Sequence, residues 1–197
     1  MINDHILDDF VIQFKNLRLV VEESAARVIS EPPDPLFFDN QNVFIKSYLV
    51  SACSVLEAFM QDLASSCAMM LQERVNALNV PYNFINWLAE HEKAKLKYGA
   101  FEGRKTSKDV SDLISPNYYK TVSAFQRIGI NIVTDEMASF KDFVSSVVDK
   151  RNKIVHHNDS ASDLSFSDIT KAIDAFIVYS KSLYTAVQAD PHITAVD

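Results

Sequence analysis

Apolar residues recur along most of this chain three and four positions apart. Between residues 4 and 30 they fall at Leu7, Phe10, Val11, Phe14, Leu17, Val21, Ala25 and Val28. That spacing predicts an amphipathic helix with one buried face. The run Glu31-Pro32-Pro33-Asp34-Pro35 ends it, because proline has no amide hydrogen for the ladder and pushes its predecessor to extended backbone. A second stripe, Ile45, Leu49, Ala52, Leu56, Met60, Leu63, Cys67, Leu71 and Val75, predicts a long helix from about Asn42 to Leu78. Pro81 interrupts, and a shorter helix is expected over about 83–97.

Two short helices are expected next, over about 107–114 and 116–128. Pro116 suits a first helical turn and Gly129 a helix stop. A further long helix is expected over about 134–157. Its stripe reads Met137, Phe140, Val144, Val147, then Arg151, then Ile154. Ser165-Phe166-Ser167-Asp168 has the spacing of a capping box. It opens a last helix through Ile169, Ile173, Phe176, Ile177, Leu183, Tyr184 and Val187, and the tail from Ala189 is expected to fray. Long amphipathic helices and nothing else predict an all-α four-helix bundle. We expect one domain over residues 1–197, with a core at about 40–188. The first helix adds to it, and a helical, basic insertion at about 93–130 precedes the helix expected over about 134–157.

Composition narrows this further. Glycine occurs 3 times in 197 residues, against a usual ~7%. All-β sandwiches and folds with phosphate-cradling glycine loops are thereby excluded. No basic segment followed by an apolar core opens the chain, and no apolar run approaches the ~18 residues of a membrane span. Cys53 and Cys67 lie on one predicted helix, about 21 Å apart along its axis, beyond the ~7 Å reach of a disulfide. Buried, inert thiols and a cytoplasmic protein with no membrane contact are expected.

The net charge of −7 is uneven. Residues 93–108 hold six Lys or Arg against the single acid Glu102, and residues 141–157 hold four against two. The acidic total argues against coating nucleic acid with the whole surface. It leaves room for RNA at one place. We read 93–108 as a helix end plus a mobile basic loop. Lys97, Arg104, Lys105 and Lys108 are either RNA-backbone contacts, with Tyr98 and Phe101 for base stacking, or a solvated charged loop. Trp87, Tyr118 and Tyr119 are expected to pack. No role is assigned to His5, His91 or His192.

The segment that carries chemistry is Asp149-Lys150-Arg151-Asn152-Lys153-Ile154-Val155-His156-His157. Arg151 breaks an apolar stripe, so its guanidinium must find a partner, a groove or an interface. Asn152 and His156 share a helix face. Arg151 and His156 are about 140° apart around the helix, so one chain does not aim both at one point, whereas a two-fold interface would. Imidazole titrates near neutrality and suits a proton acceptor. Arginine offers a planar, permanently charged donor fork to a phosphate gaining charge. Arg plus His without a carboxylate cluster suits RNA cleavage without a metal, the ribose 2′-OH attacking the neighbouring phosphate. Basic residues and histidines at a helix C-terminus are also favoured by the helix dipole alone.

The order of features resembles the HEPN superfamily, a four-helix core with an Arg-x4-6-His motif late in the chain. Arg151-Asn152-Lys153-Ile154-Val155-His156 matches that motif, including the polar second position. Val50 to Phe59, with its Leu56-Glu57 pair, resembles the early helix of the branch related to RNase L and stress-toxin nucleases. Ser115 to Lys120 and Phe125 to Ile130 resemble the segment before the motif there.

The resemblance implies a homodimer with a composite cleft. It implies a metal-independent endoribonuclease that leaves a 2′,3′-cyclic phosphate and a 5′-hydroxyl, and needs no cofactor. Arg151 would then stabilise the phosphate, His156 act as general base or acid, and Asn152 orient the site. Glu57 is either a polar residue near the cleft or a solvated helix residue. His157, Lys150 and Lys153 become neighbours and RNA contacts. A toxin–antitoxin or antiviral defence role, with an antitoxin or defence partner, follows by analogy. The alternatives are a non-catalytic helical module binding RNA, a nucleotide or a protein, and a purely structural dimerisation bundle.

Overall fold

The computed structural model describes residues 5–91 and 95–194. Among them the elements are all helices: α1 His5–Ile29, α2 Pro35–Asp39, α3 Gln41–Ala77, α4 Tyr82–Leu88, α5 Ser107–Ser111, α6 Tyr118–Ile128, α7 Asp135–Ser139, α8 Lys141–His157 and α9 Phe166–Gln188. The chain is an all-α bundle. The long α3 is its axis, with α1, α9, α8, α6 and α5 packed around it. Phe10 meets Phe59 edge-on at 5.6 Å between ring centroids, and Phe14 meets Phe176 at 6.2 Å. Leu56, Phe59, Met60, Phe125, Phe176 and Tyr179 are fully buried. Burying side chains of this size contributes roughly 1.5–3 kcal/mol each, so the helix faces rather than local propensity hold the bundle together.

Helix ends follow local chemistry. Ser165 and Asp168 form the expected capping box, as do Thr106 and Asp109. Gly129 closes α6 in the left-handed conformation at φ 88°. Elsewhere the expectations need correction. The helix expected to reach residue 97 ends at Leu88, with Glu90 at φ 58°. The helix expected over 134–157 is divided at Phe140, whose ring packs on Tyr179 at 6.0 Å. The helix expected to begin at Pro116 begins at Tyr118, because Asn117 caps the amides of Tyr119 and Lys120. α2 was not foreseen: Asp34 caps the Leu36 amide and Pro35 occupies the first turn. The tail does not fray at Ala189. Asp190 accepts the Asn131 amide, Arg74 donates to the carbonyls of His192 and Ile193, and Ile193 is buried.

By length and composition α3 qualifies to cross a membrane, with an 18-residue window of mean hydropathy 1.5. The absence of any such run expected from the sequence is therefore corrected. Its apolar face is spent on the neighbouring helices, as in the core helix of a bundle.

Candidate active site

Three contacts fix the direction of α8 against α3. Arg151 meets Glu57, Asn158 meets Lys46, and the Ala161 amide meets Asn42. Numbers rise along one helix as they fall along the other, so the two run antiparallel. Val144, Val148 and Ile154 are buried on the face of α8 that turns to the core. Arg151 lies within that same face. Its Nη2 is 3.3 Å from Glu57 Oε2, and its Nη1 donates to Asn152 Oδ1 at 3.1 Å. Its Nε is buried with no partner. The side chains of Arg151 and Glu57 retain 21% and 28% of their exposure, so the pair is half-buried yet reachable.

Glu57 is thus more than a solvated helix residue. It interrupts the apolar face of α3, four residues after buried Cys53 and three before buried Met60. A carboxylate breaking one stripe and a guanidinium breaking the other were the signal that the two helices meet there. Burial pushes the Cys53 thiol up to about 12, against the smaller opposing pull of the Arg151 charge. Burial likewise pushes Cys67 up to about 12. Both thiols are free and buried, and at neutral pH they are inert as nucleophiles.

His156 and His157 end α8 and are exposed. Asn158 closes the helix in the left-handed conformation, φ 49°, its amide donating to the Lys153 carbonyl. The turn that follows is tied from two sides. Lys150 Nζ lies 2.8 Å from Asp159 and 2.6 Å from Asp163, and it donates to the Ser160 carbonyl at 3.0 Å. Asn42 holds the Ala161 amide at 3.0 Å, and Ala161 is buried. Hydrogen bonds from Lys150 hold both carboxyls below the usual carboxylate range, and theirs raise Lys150. The two imidazoles therefore project from a pinned turn.

Within one chain the structure brings together Arg151, Asn152 and Glu57. It does not bring His156 onto them. A groove of about 620 Å³ between α8 and α9 is lined by Lys150 and Lys153 together with Phe143, Val147, Ile169 and Lys171. Neither Arg151 nor His156 lines it.

The basic stretch lies at the far end of α3, and Lys93 falls outside the described residues. It is not a free loop over its whole length. Gln72 exchanges hydrogen bonds with the Lys105 backbone, Asn76 holds the Gly103 amide at 2.7 Å, and Phe101 donates to the Val80 carbonyl. A Cβ on Gly103 would come within 2.7 Å of the Gln72 side chain, so glycine permits this docking. Lys97, Arg104, Lys105 and Lys108 are exposed. Arg104 pairs with Glu102, and the Lys97 ammonium lies over the Tyr82 ring. Phe101 stacks on Tyr82, leaving Tyr98 as the free ring there. Tyr118 packs as expected, whereas Trp87 and Tyr119 are 71% and 59% exposed. Their expected burial is corrected.

No cluster of three or more His, Cys, Asp or Glu side chains able to hold a metal ion occurs among the described residues. A family model described as RiboL-PSP-HEPN matches residues 21–189, from within α1 to the end of α9. No curated protein and no solved structure matches the chain.

Proposed function

The chain belongs to the RiboL-PSP-HEPN family, and on that premise we propose that it is a metal-independent endoribonuclease acting as a homodimer. The domain is broadly associated with RNA-related toxin–antitoxin function. The observation that carries the proposal is the state of Arg151. A guanidinium has five N–H donors. Here one charged partner and one amide oxygen take two of them, inside a packed helix face. A phosphate gaining charge is a better acceptor set for such a fork than water. Glu57 then holds the guanidinium in place and Asn152 orients it, a reading in keeping with the RNase L-like branch in which a Leu-Glu pair precedes an aromatic.

The reaction uses the substrate's own nucleophile. His156 takes the proton of a ribose 2′-OH, whose oxygen forms a bond to the adjacent phosphorus. The bond to the 5′-oxygen breaks, and that oxygen takes a proton from a second imidazole. The products carry a 2′,3′-cyclic phosphate and a 5′-hydroxyl. Because Arg151 and His156 lie about 140° apart on one helix, a second copy must complete the site: two α8 C-termini around a two-fold axis supply two Arg151–His156 pairs to one cleft. His157 and Lys153 flank it as RNA contacts. Lys97, Arg104, Lys105, Lys108 and Tyr98 offer a more distant contact for the strand. We place the enzyme in the cytoplasm as a toxin or antiviral effector, with an antitoxin or defence partner.

The same 140° separation favours a second reading, a non-catalytic module that binds RNA, a nucleotide or a protein partner. The two separate in one assay. Purified protein should cleave RNA in EDTA, and Arg151→Ala and His156→Ala should each lower cleavage by about a hundredfold or more. Activity that survives in both variants overturns the catalytic assignment. RNA affinity without turnover establishes the binding module instead.

A further inference from the structure

One face of α6 bears on how the site holds RNA. Residues Tyr119, Lys120, Ser123, Ala124 and Arg127 occupy one face of that helix. With Leu113 they line a concavity of about 300 Å³. That volume is at the lower limit for a ligand pocket. Tyr119 stands at its edge, 59% exposed, with the Lys141 ammonium 5.0 Å from its ring centroid. Lys120 and Arg127 are exposed, and neither is among the ion pairs of the described residues. An aromatic face with unpaired cations beside it is the composition that holds single-stranded nucleic acid, one base on the ring and phosphates on the charges.

The concavity is also connected to the motif. Lys141 opens α8, ten residues before Arg151, about 15 Å along the axis. Lys141, Ser145, Asn152 and His156 follow one another four, seven and four residues apart. They therefore lie within about 60° of each other around α8. This stripe is on the edge of α8 opposite the α9 groove, and the Lys141–Tyr119 contact identifies it as the edge that meets α6. Ser145 Oγ, one turn beyond Lys141, is buried without a partner.

We infer that the α6 concavity is a nucleotide subsite for single-stranded RNA, seating a base on Tyr119 and a phosphate between Lys120 and Arg127, with the strand passing along the Lys141–Ser145–Asn152 edge of α8 to His156. This rests on the ribonuclease reading and deepens it by placing one base of the strand on the α6 face. A-form duplex keeps its bases stacked and presents none to a ring.

The test uses full-length His156→Ala protein, so that no probe is consumed. A fluorescein-labelled oligouridine and a labelled RNA duplex are titrated by anisotropy over a salt series. Oligouridine should bind more tightly than duplex. Adding Tyr119→Ala should weaken it about tenfold or more, while Tyr119→Phe, which keeps the ring, should hold the parent affinity. Arg127→Ala should lower the slope of log affinity on log salt by about 0.7. Tyr119 is exposed, so its variants should melt like the parent. If the alanine variant does not fold, Arg127→Ala and the duplex comparison still decide. Equal binding by Tyr119→Ala, or a preference for duplex, overturns the subsite. The two proposals fail separately. Cleavage by the wild type with Tyr119-independent binding keeps the enzyme and removes the subsite. Tyr119-dependent binding by a protein that cleaves nothing does the reverse.

Discussion

Lys150 and Arg151 are neighbours on one helix, both cationic and both largely covered, with opposite fates. Lys150 turns to the α9 side and meets two carboxylates and a carbonyl within 3.0 Å, using all three of its donors. Arg151 turns to α3, meets one carboxylate at 3.3 Å, and leaves Nε unmatched. A cation whose donors are all satisfied by a local turn is spent on structure. One held in place with donors to spare is available for a ligand. The two edges of α8 repeat the contrast: Asp159 and Asp163 are tied on the Lys150 side, whereas Ser145 is orphaned and His156 open on the other.

The largest effect that sharpens this contrast is on turnover. His156→Ala should lower RNA cleavage by about 10²–10⁴, the usual share of a positioned acid or base. Arg151→Ala should lower it by about 10²–10³ through lost charge stabilisation. Because His156 is exposed, its variant should keep the parent's melting temperature. A multiple-turnover assay in EDTA and a melting curve check both. A His156→Ala enzyme that cleaves normally would erase the distinction between the open edge and the tied one.

Glu57 gives a smaller, two-part effect. Glu57→Ala leaves a half-buried guanidinium without its counter-charge, which should cost about 1 kcal/mol after allowance for solvent screening. Arg151 then loses its fixed position, and cleavage should fall about tenfold. Glu57→Gln keeps an acceptor and should recover part of the rate. If Glu57→Ala lowers stability and leaves the rate untouched, the ion pair is architecture and Arg151 belongs with Lys150.

Much of this fold was legible because its signals are local. The apolar stripe from Ile45 to Val75 located α3, and Ser165 with Asp168 located the start of α9. The break at Phe140 was not legible: no Gly or Pro marks it, and its ring packs on Tyr179, far along the chain. The ordered tail likewise depends on Asn131 and Arg74 finding residues 190–193. α2 could have been read, since Asp34-Pro35 places an N-cap before a first-turn proline. At the site, the motif residues were legible as a motif. The Glu57 partnership needed the two interrupted stripes of α3 and α8 to be read as a complementary pair. The exposure of Tyr119 was hidden because an aromatic at helical spacing looks the same packed or open.

The smallest effect concerns Lys150, which the sequence offered as an RNA contact and the structure ties to a turn. Asp159 and Asp163 are held below the ordinary carboxylate range near 3.9 by their hydrogen bonds to Lys150. Their contribution to stability is therefore present above about pH 4 and lost as the pH falls through their folded-state values. Lys150 is raised by the same bonds. Its contribution is full below about pH 10.4 and lost as the pH rises through its own folded value. Lys150→Met should remove both edges of that window. Melting temperature against pH would then fall less steeply in acid than in the parent. A slope remains, because Asp109 is held low by the amide and then the hydroxyl of Thr106, and Asp168 by the hydroxyl and then the amide of Ser165. The shift should be small, since water and salt screen exposed ion pairs. Cleavage should drop little, because Arg151 and His156 stay in place. A Lys150→Met protein with unchanged melting behaviour and no cleavage would reverse the assignment: the tied ammonium would be the one that meets RNA, and the clamp on the turn incidental.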